Sequence, residues 1–240
     1  MVRLRLFMML LIPTFLLSGC LYPDELKVEN QVPYESQVAQ VQEAVLNYQK
    51  DNDGLLPIKT KESDTPKYQK FPIDFKKLVP RYLPDYPSNS FDAGGVFVYV
   101  IIDEETKPLV RLFDAQTTEV IRDMNIRINA YIEKHNYPPY KEVFENGVFS
   151  IDYDKLKIKS EPFVVSPFTN NNLSLLIDNN LQVFIDYRPD VYQFSKNESY
   201  DIKKDEDLLH LLAQNSMFVP SFSKSIYLND EGEPTFQKGK

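Results

Sequence analysis

Phe71-Pro72-Ile73-Asp74-Phe75-Lys76-Lys77-Leu78 and Phe149-Ser150-Ile151-Asp152-Tyr153-Asp154-Lys155-Leu156 are two versions of one eight-residue stretch. Five positions are identical, and a sixth exchanges one aromatic ring for another. In both, the aspartate is placed to cap a short helical turn that delivers the leucine to a core.

The surroundings of the two stretches also match in order. Upstream, Val38, Val41, Val45 and Tyr48 are spaced 3-4-3, and so are Ile121, Met124, Ile128 and Tyr131. That spacing puts each set on one face of a helix, with Ser36 and Thr118 as the expected N-caps. Breakers follow both helices: Asn52-Asp53-Gly54 with Pro57, and Asn136 with Pro138-Pro139. Downstream, Pro-containing loops at 84–89 and 162–172 lead to hairpin patterns. One pairs 96–102 with 109–114; the other pairs 173–177 with 181–186 around Asp178-Asn179-Asn180.

The expected fold is therefore α+β: two tandem helix-plus-antiparallel-hairpin modules, 36–116 and 117–188, related by internal duplication. Residues 189–240 form a C-terminal segment that reads as a degraded third repeat. Within it, 207–212 is a capped helix, and 225–228 with 234–237 is a hairpin around Asn229-Asp230-Glu231-Gly232.

The N-terminus carries a different kind of signal. Arg3 and Arg5 precede an apolar run, and Leu17-Ser18-Gly19-Cys20 closes it. This is the layout of a secretion signal over 1–19, cut between Gly19 and Cys20. Leu-Ser-Gly-Cys resembles the lipobox of bacterial lipoproteins. The resemblance implies diacylglycerol on the Cys20 thiol and a place on the extracytoplasmic face of the cell membrane. The alternative is an uncleaved membrane helix, since the uncharged run 6–23 reaches the roughly 17–25 residues needed to span. Residues 20–35 are polar and Pro-containing, and read as a membrane-proximal tether spanning roughly 20 Å. An ordered strap is the other reading of that segment.

Composition narrows the function. Net charge is −8, and losing Arg3 and Arg5 with the leader makes it −10. An acidic surface repels phosphate backbones, which argues against nucleic acid as a partner. Cys20 is the single cysteine, so once acylated it leaves no thiol for a disulfide or a thiolate metal site. His135 and His210 are the two histidines, and neither lies beside a nucleophile motif. Asp51-Asn52-Asp53-Gly54 with Glu62 has the outline of a calcium loop, but Leu55 and Leu56 occupy positions that need an oxygen ligand and a glycine. The simpler reading is a helix C-terminal turn. Asp74 and Asp152 form a carboxylate pair only if the modules pack face to face; as caps they already have a role. No catalytic residue, metal or cofactor is expected.

Several runs point to known families. Residues 41–48, Gly54-Leu55-Leu56-Pro57, Leu78-Val79-Pro80-Arg81-Tyr82-Leu83-Pro84 and Gly94-Gly95-Val96-Phe97-Val98-Tyr99 resemble the globular part of type II secretion and competence pseudopilins. That likeness implies a helix packed on a small antiparallel sheet. The lipobox stands where those proteins have a prepilin cleavage site, so pilus assembly is not implied. The whole chain resembles YphF-type lipoproteins of Bacillus, through Leu17-Ser18-Gly19-Cys20-Leu21-Tyr22-Pro23 and Gly54-Leu55-Leu56-Pro57-Ile58-Lys59.

The expected function is a lipid-anchored, non-catalytic interaction or scaffold protein of the bacterial cell envelope, held by the membrane and bound to an envelope protein. The alternative is a solute-binding lipoprotein serving a transporter. The alternating βαβ pattern of two-lobed binding proteins is missing from the sequence.

Overall fold

The computed structural model describes residues 31–63, 65–145, 147–196, 202 and 206–236. The fold below is that of the compact unit Tyr34–Lys240. The architecture is α+β.

Helix α1 spans Gln31–Asp51. It starts five residues before Ser36, so Ser36 lies inside the helix and is not its cap. Pro33 falls in the first turn, where its missing N–H is not needed. The spacing read from sequence holds: Val38, Val41, Ala44 and Val45 are buried and Tyr48 packs at their edge. Beyond Asp51 the chain turns through left-handed Asp53 (φ 52°) and Gly54 (φ 84°), which is a helix C-terminal turn rather than a cation loop.

Strands β1 (Phe97–Ile102) and β2 (Leu109–Asp114) form the first hairpin, with Phe97 opposite Asp114 and Ile102 opposite Leu109. It is apolar on both faces. Phe97, Tyr99, Ile101, Val110 and Leu112 join α1, Ile73, Phe75 and Leu78 in one core. Val100, Ile102 and Phe113 point to the other side, into a second and larger core. Side chains alternate across a strand. A continuous run such as Phe97-Val98-Tyr99-Val100-Ile101-Ile102 is what a hairpin buried on both faces requires.

β2 runs without a break into helix α2 (Ala115–His135). Asp114 ends the strand and caps the helix, its side chain accepting from the Gln116 N–H at 2.8 Å. Thr118 is therefore inside α2 and not its cap. Ile121, Met124, Ile128 and Tyr131 are buried as their spacing predicts, and Asn136 closes the helix at φ 61°.

Next come β3 (Tyr140–Glu145), β4 (Val148–Ile151), β5 (Phe163–Val165), β6 (Asn172–Asp178) and β7 (Val183–Ile185). They form a five-stranded antiparallel sheet ordered β3-β4-β6-β5, with β7 on the other side of β6. The β6–β7 hairpin was legible in the sequence. The β3–β4 hairpin was not, nor was β5, which occupies part of the loop expected at 162–172.

The two eight-residue stretches have like local geometry. The Asp74 side chain accepts from the Lys76 N–H, and Asp152 accepts from the Lys155 N–H. The Asp74 N–H donates to the Pro57 carbonyl and the Asp152 N–H to the Pro139 carbonyl, each at 2.7 Å.

Helix α3 (Arg188–Ser195), missed by the sequence reading, follows β7. Helix α4 (Leu208–Gln214) is capped by Asp207, and β8 (Tyr227–Leu228) pairs with β9 (Pro234–Thr235). Between α4 and β8, residues 217–222 run as a strap joining the two sheets. The Leu112 N–H in β2 donates to the Met217 carbonyl, and the Val219 N–H donates back to Leu112. The Ile185 N–H in β7 donates to the Phe222 carbonyl.

Candidate interaction surface

β3 stands at the end of the sheet order, with β4 as its one strand partner among the described residues. Its sequence, Tyr140-Lys141-Glu142-Val143-Phe144-Glu145, carries two large apolar side chains into solvent: Val143 is 71% exposed and Phe144 50%. Phe163 in β5 is 51% exposed. An edge strand offers unpaired backbone N–H and carbonyl groups, so exposed apolar side chains on it mark a template for another strand. The β3–β4 register shifts between Tyr140 and Val143 and again before Glu145. Such bulges restrict which strand can add.

Across the sheet from β3 to β6 runs a groove of about 400 Å³, lined by Phe144, Ser150, Tyr153, Phe163 and Ser174 among others. It places aromatic side chains beside the free edge.

Both ends of β3 are held firmly. At the start, Tyr140 stacks on Phe149 with 4.1 Å between ring centres, and its hydroxyl donates to the Asp178 carbonyl. At the end, Glu145 accepts from Arg188 Nη1 at 3.1 Å, from the Thr235 hydroxyl and from the Phe236 N–H. Asp186 takes the rest of the Arg188 fork, from Nε at 2.8 Å and Nη2 at 2.7 Å. The guanidinium lies 4.6 Å from the ring centres of both Phe144 and Phe236. Burial opposes the charge, but Asp186 and Glu145 outweigh it and raise the Arg188 pKa. This network links the edge strand, α3 and the last hairpin. The geometry suits a rigid docking edge.

A second polar cluster is internal. Asp190, buried in α3, accepts from the Ser166 hydroxyl at 2.8 Å and the Thr169 hydroxyl at 2.5 Å. Burial raises the Asp190 pKa, while the two hydroxyls work against that rise.

The residues singled out from sequence fall as follows. Gly19 and Cys20 lie outside the described residues. Asp74 and Asp152 each cap their own turn. Asp51 takes the Arg81 guanidinium and the Tyr82 hydroxyl. His135 stacks on Tyr131 at the end of α2, and His210 Nε2 sits 3.1 Å from Asp103 Oδ1. Among the described residues no group of three or more His, Cys, Asp or Glu is placed to hold a metal ion. No helix of the described residues is long and apolar enough to cross a membrane. The Arg188 network and the edge strand escaped the sequence reading. Asn146-Gly147 was the available clue to β3, because it is the strongest two-residue hairpin signal.

No curated protein and no solved structure matches the chain. Residues 34–114, from the first turn of α1 to the end of β2, match the model of the YphF family N-terminal domain, and over this region the chain is similar to YphF-type proteins.

Proposed function

We propose that this chain is a lipid-anchored, extracytoplasmic interaction protein of the bacterial cell envelope, without catalytic activity. Its working surface is edge strand β3. An extended segment of an envelope protein adds to that edge, with main-chain hydrogen bonds supplying affinity and side chains entering the adjacent groove. The observation that carries the reading is the exposure of Val143 and Phe144 on an edge strand whose ends are fixed. The lipobox at Leu17-Ser18-Gly19-Cys20 supports the anchor and the address.

A photoreactive amino acid at position 143, introduced into the full chain in intact cells, tests this. A discrete protein adduct is expected at 143 and not at Ile126, which is 60% exposed but on helix α2. An adduct pattern identical at the two positions overturns the edge-strand reading. Changing Cys20 to Ala should leave an unlipidated precursor, and normal lipidation of that variant overturns the anchor.

A further inference from the structure

The groove beside β3 lies on one face of the sheet. Ser150 is opposite Leu176, and Ser174 is opposite Phe163. Residues opposite one another in an antiparallel pair point to the same side, as do residues two apart along a strand. Leu176 and Ser174 are two apart, so Ser150, Leu176, Ser174 and Phe163 share a face. The Glu142 N–H donates to Ser150 Oγ at 3.1 Å, which brings β3 level with that row. Glu142 and Phe144 line the groove from β3, and Glu161 and Phe163 line it from the β5 side, in the same Glu-x-Phe order. Three strand spacings, roughly 14 Å, separate β3 from β5.

The groove is left acidic. Its charged residues are Lys141, Glu142, Glu161 and Asp186. Arg188 neutralises Asp186, with Nη2 at 2.7 Å from Oδ2. Lys141 spends part of its field on Asp152, whose pKa is lowered mainly by Lys155 and further by Lys141. Neither Glu142 nor Glu161 has an ion-pair partner among the described residues, and both are exposed. Burial and the Glu161 carboxylate push the Tyr153 phenol up to about 12, so that ring stays neutral. The whole chain, at −8, adds attraction for a basic partner.

The free edge fixes how such a partner lies. A strand added to β3 sits about 4.8 Å beyond it, and its alternate side chains stand over the groove face. The residue opposite Glu142 is then a direct cross-strand neighbour, where an opposite charge stabilises and a like charge destabilises. A long basic side chain there lays its methylenes on the sheet and keeps its head among the carboxylates. The fold already holds one cation in this way: the Arg188 guanidinium lies 4.6 Å from the Phe144 ring centre and pairs with Glu145 and Asp186. Glu161, across the groove, acts at longer range and is screened by salt.

We propose, resting on the edge-strand reading of β3, that the partner segment is basic: an extended peptide that places a lysine or arginine opposite Glu142, with Glu161 drawing its charge over the groove.

Isothermal titration of the full chain in micelles of an uncharged detergent tests this with three peptides of about ten residues, the length of a long strand. Their sequences alternate valine with lysine, valine with threonine, and valine with glutamate. The lysine peptide is expected to bind at least about tenfold more tightly than the threonine peptide, and the glutamate peptide more weakly than either. Raising NaCl from about 0.05 M to about 0.5 M should shrink that preference to less than about threefold. Glu142→Gln and Glu161→Gln, exposed and isosteric changes, should each reduce it by about threefold. Wild-type preference in either variant overturns the proposal, and so does no binding of the lysine peptide at about 1 mM. Equal affinities for the three peptides, all lost in Val143→Lys, overturn the basic partner and leave β3 as the docking edge. Lysine-peptide binding that survives Val143→Lys overturns the edge-strand reading itself.

Discussion

Arg188 and Glu145, 43 residues apart in sequence, form an ion pair of 3.1 Å with both side chains less than one-fifth exposed. The pair fastens the end of an edge strand to the start of α3, and Glu145 passes the link on to β9 by accepting from the Thr235 hydroxyl. It forms where three elements that the sequence keeps apart meet.

Arg188→Ala should destabilise the protein by about 3 kcal/mol, because it leaves Glu145 and Asp186 largely buried without a counter-charge. Arg188→Lys should recover only part of that loss, since an ammonium has neither the planar fork nor the stacking face between Phe144 and Phe236. Urea denaturation of the three proteins checks both statements. Equal stabilities for wild type and Arg188→Ala would mean that the network contributes nothing.

Val143→Lys should leave stability within about 0.5 kcal/mol, because the side chain is exposed. The same change should abolish capture of an envelope partner, because lysine on an edge strand blocks strand addition. Thermal melting and affinity capture from intact membranes measure the two effects separately. Unchanged capture would rule out β3 as the docking edge.

Asp190 should make stability depend on pH in a defined direction. Its pKa in the folded protein is above the ordinary 3.8, so the folded state holds the proton more tightly than the unfolded chain. Stability therefore falls as pH rises from about 3.8 through the folded value, and this contribution levels off above it. Asp190→Asn should flatten that part of the profile. Denaturation midpoints measured across the acid range report the slope, and an identical slope in the variant would exclude Asp190 as its source.

Asn89 is the meeting point of two further predictions. The Tyr99 hydroxyl donates to Asn89 Oδ1 at 2.7 Å inside the first core. Tyr99→Phe should cost about 1–2 kcal/mol, since it leaves the Asn89 carbonyl oxygen unpaired. Gly95 presses on the same residue: a Cβ there would lie 2.3 Å from the Asn89 carbonyl carbon and oxygen. Gly95→Ala should therefore force backbone movement at a cost of about 2–3 kcal/mol. Chemical denaturation of each variant provides the values. A neutral Gly95→Ala would show that the loop moves freely.

The elements legible in the sequence were those whose signal is contained in a few neighbouring residues. Ile121, Met124, Ile128 and Tyr131 announce one helix face by spacing alone, and Asp74, Asp152 and Asp207 announce their caps. Residues 97–102 and 109–114 announce a hairpin. The misplaced starts of α1 and α2 came from assigning the caps to Ser36 and Thr118, hydroxyl residues that lie inside the helices. In α2 the cap is Asp114, which also ends a strand, and strand endings are set by pairing across the sheet. The β3–β4 hairpin was hidden because Phe149-Ser150-Ile151 was read with the helical turn that follows it, although its pairing with Tyr140 and Val143 makes it a strand.

By itself the sequence determined the local vocabulary: the helix faces, the capped turns and the hairpins β1–β2, β6–β7 and β8–β9. Each follows from steric and hydrogen-bonding preferences over a few residues. Tertiary structure alone decided the rest. It placed the β1–β2 hairpin between two cores, threaded residues 217–222 between β2 and β7, and clasped Arg188 between Phe144 and Phe236. Those arrangements join residues far apart in the chain. The free energy that selects them comes from burial and pairing made only when distant segments meet, so local sequence spacing carries no trace of it.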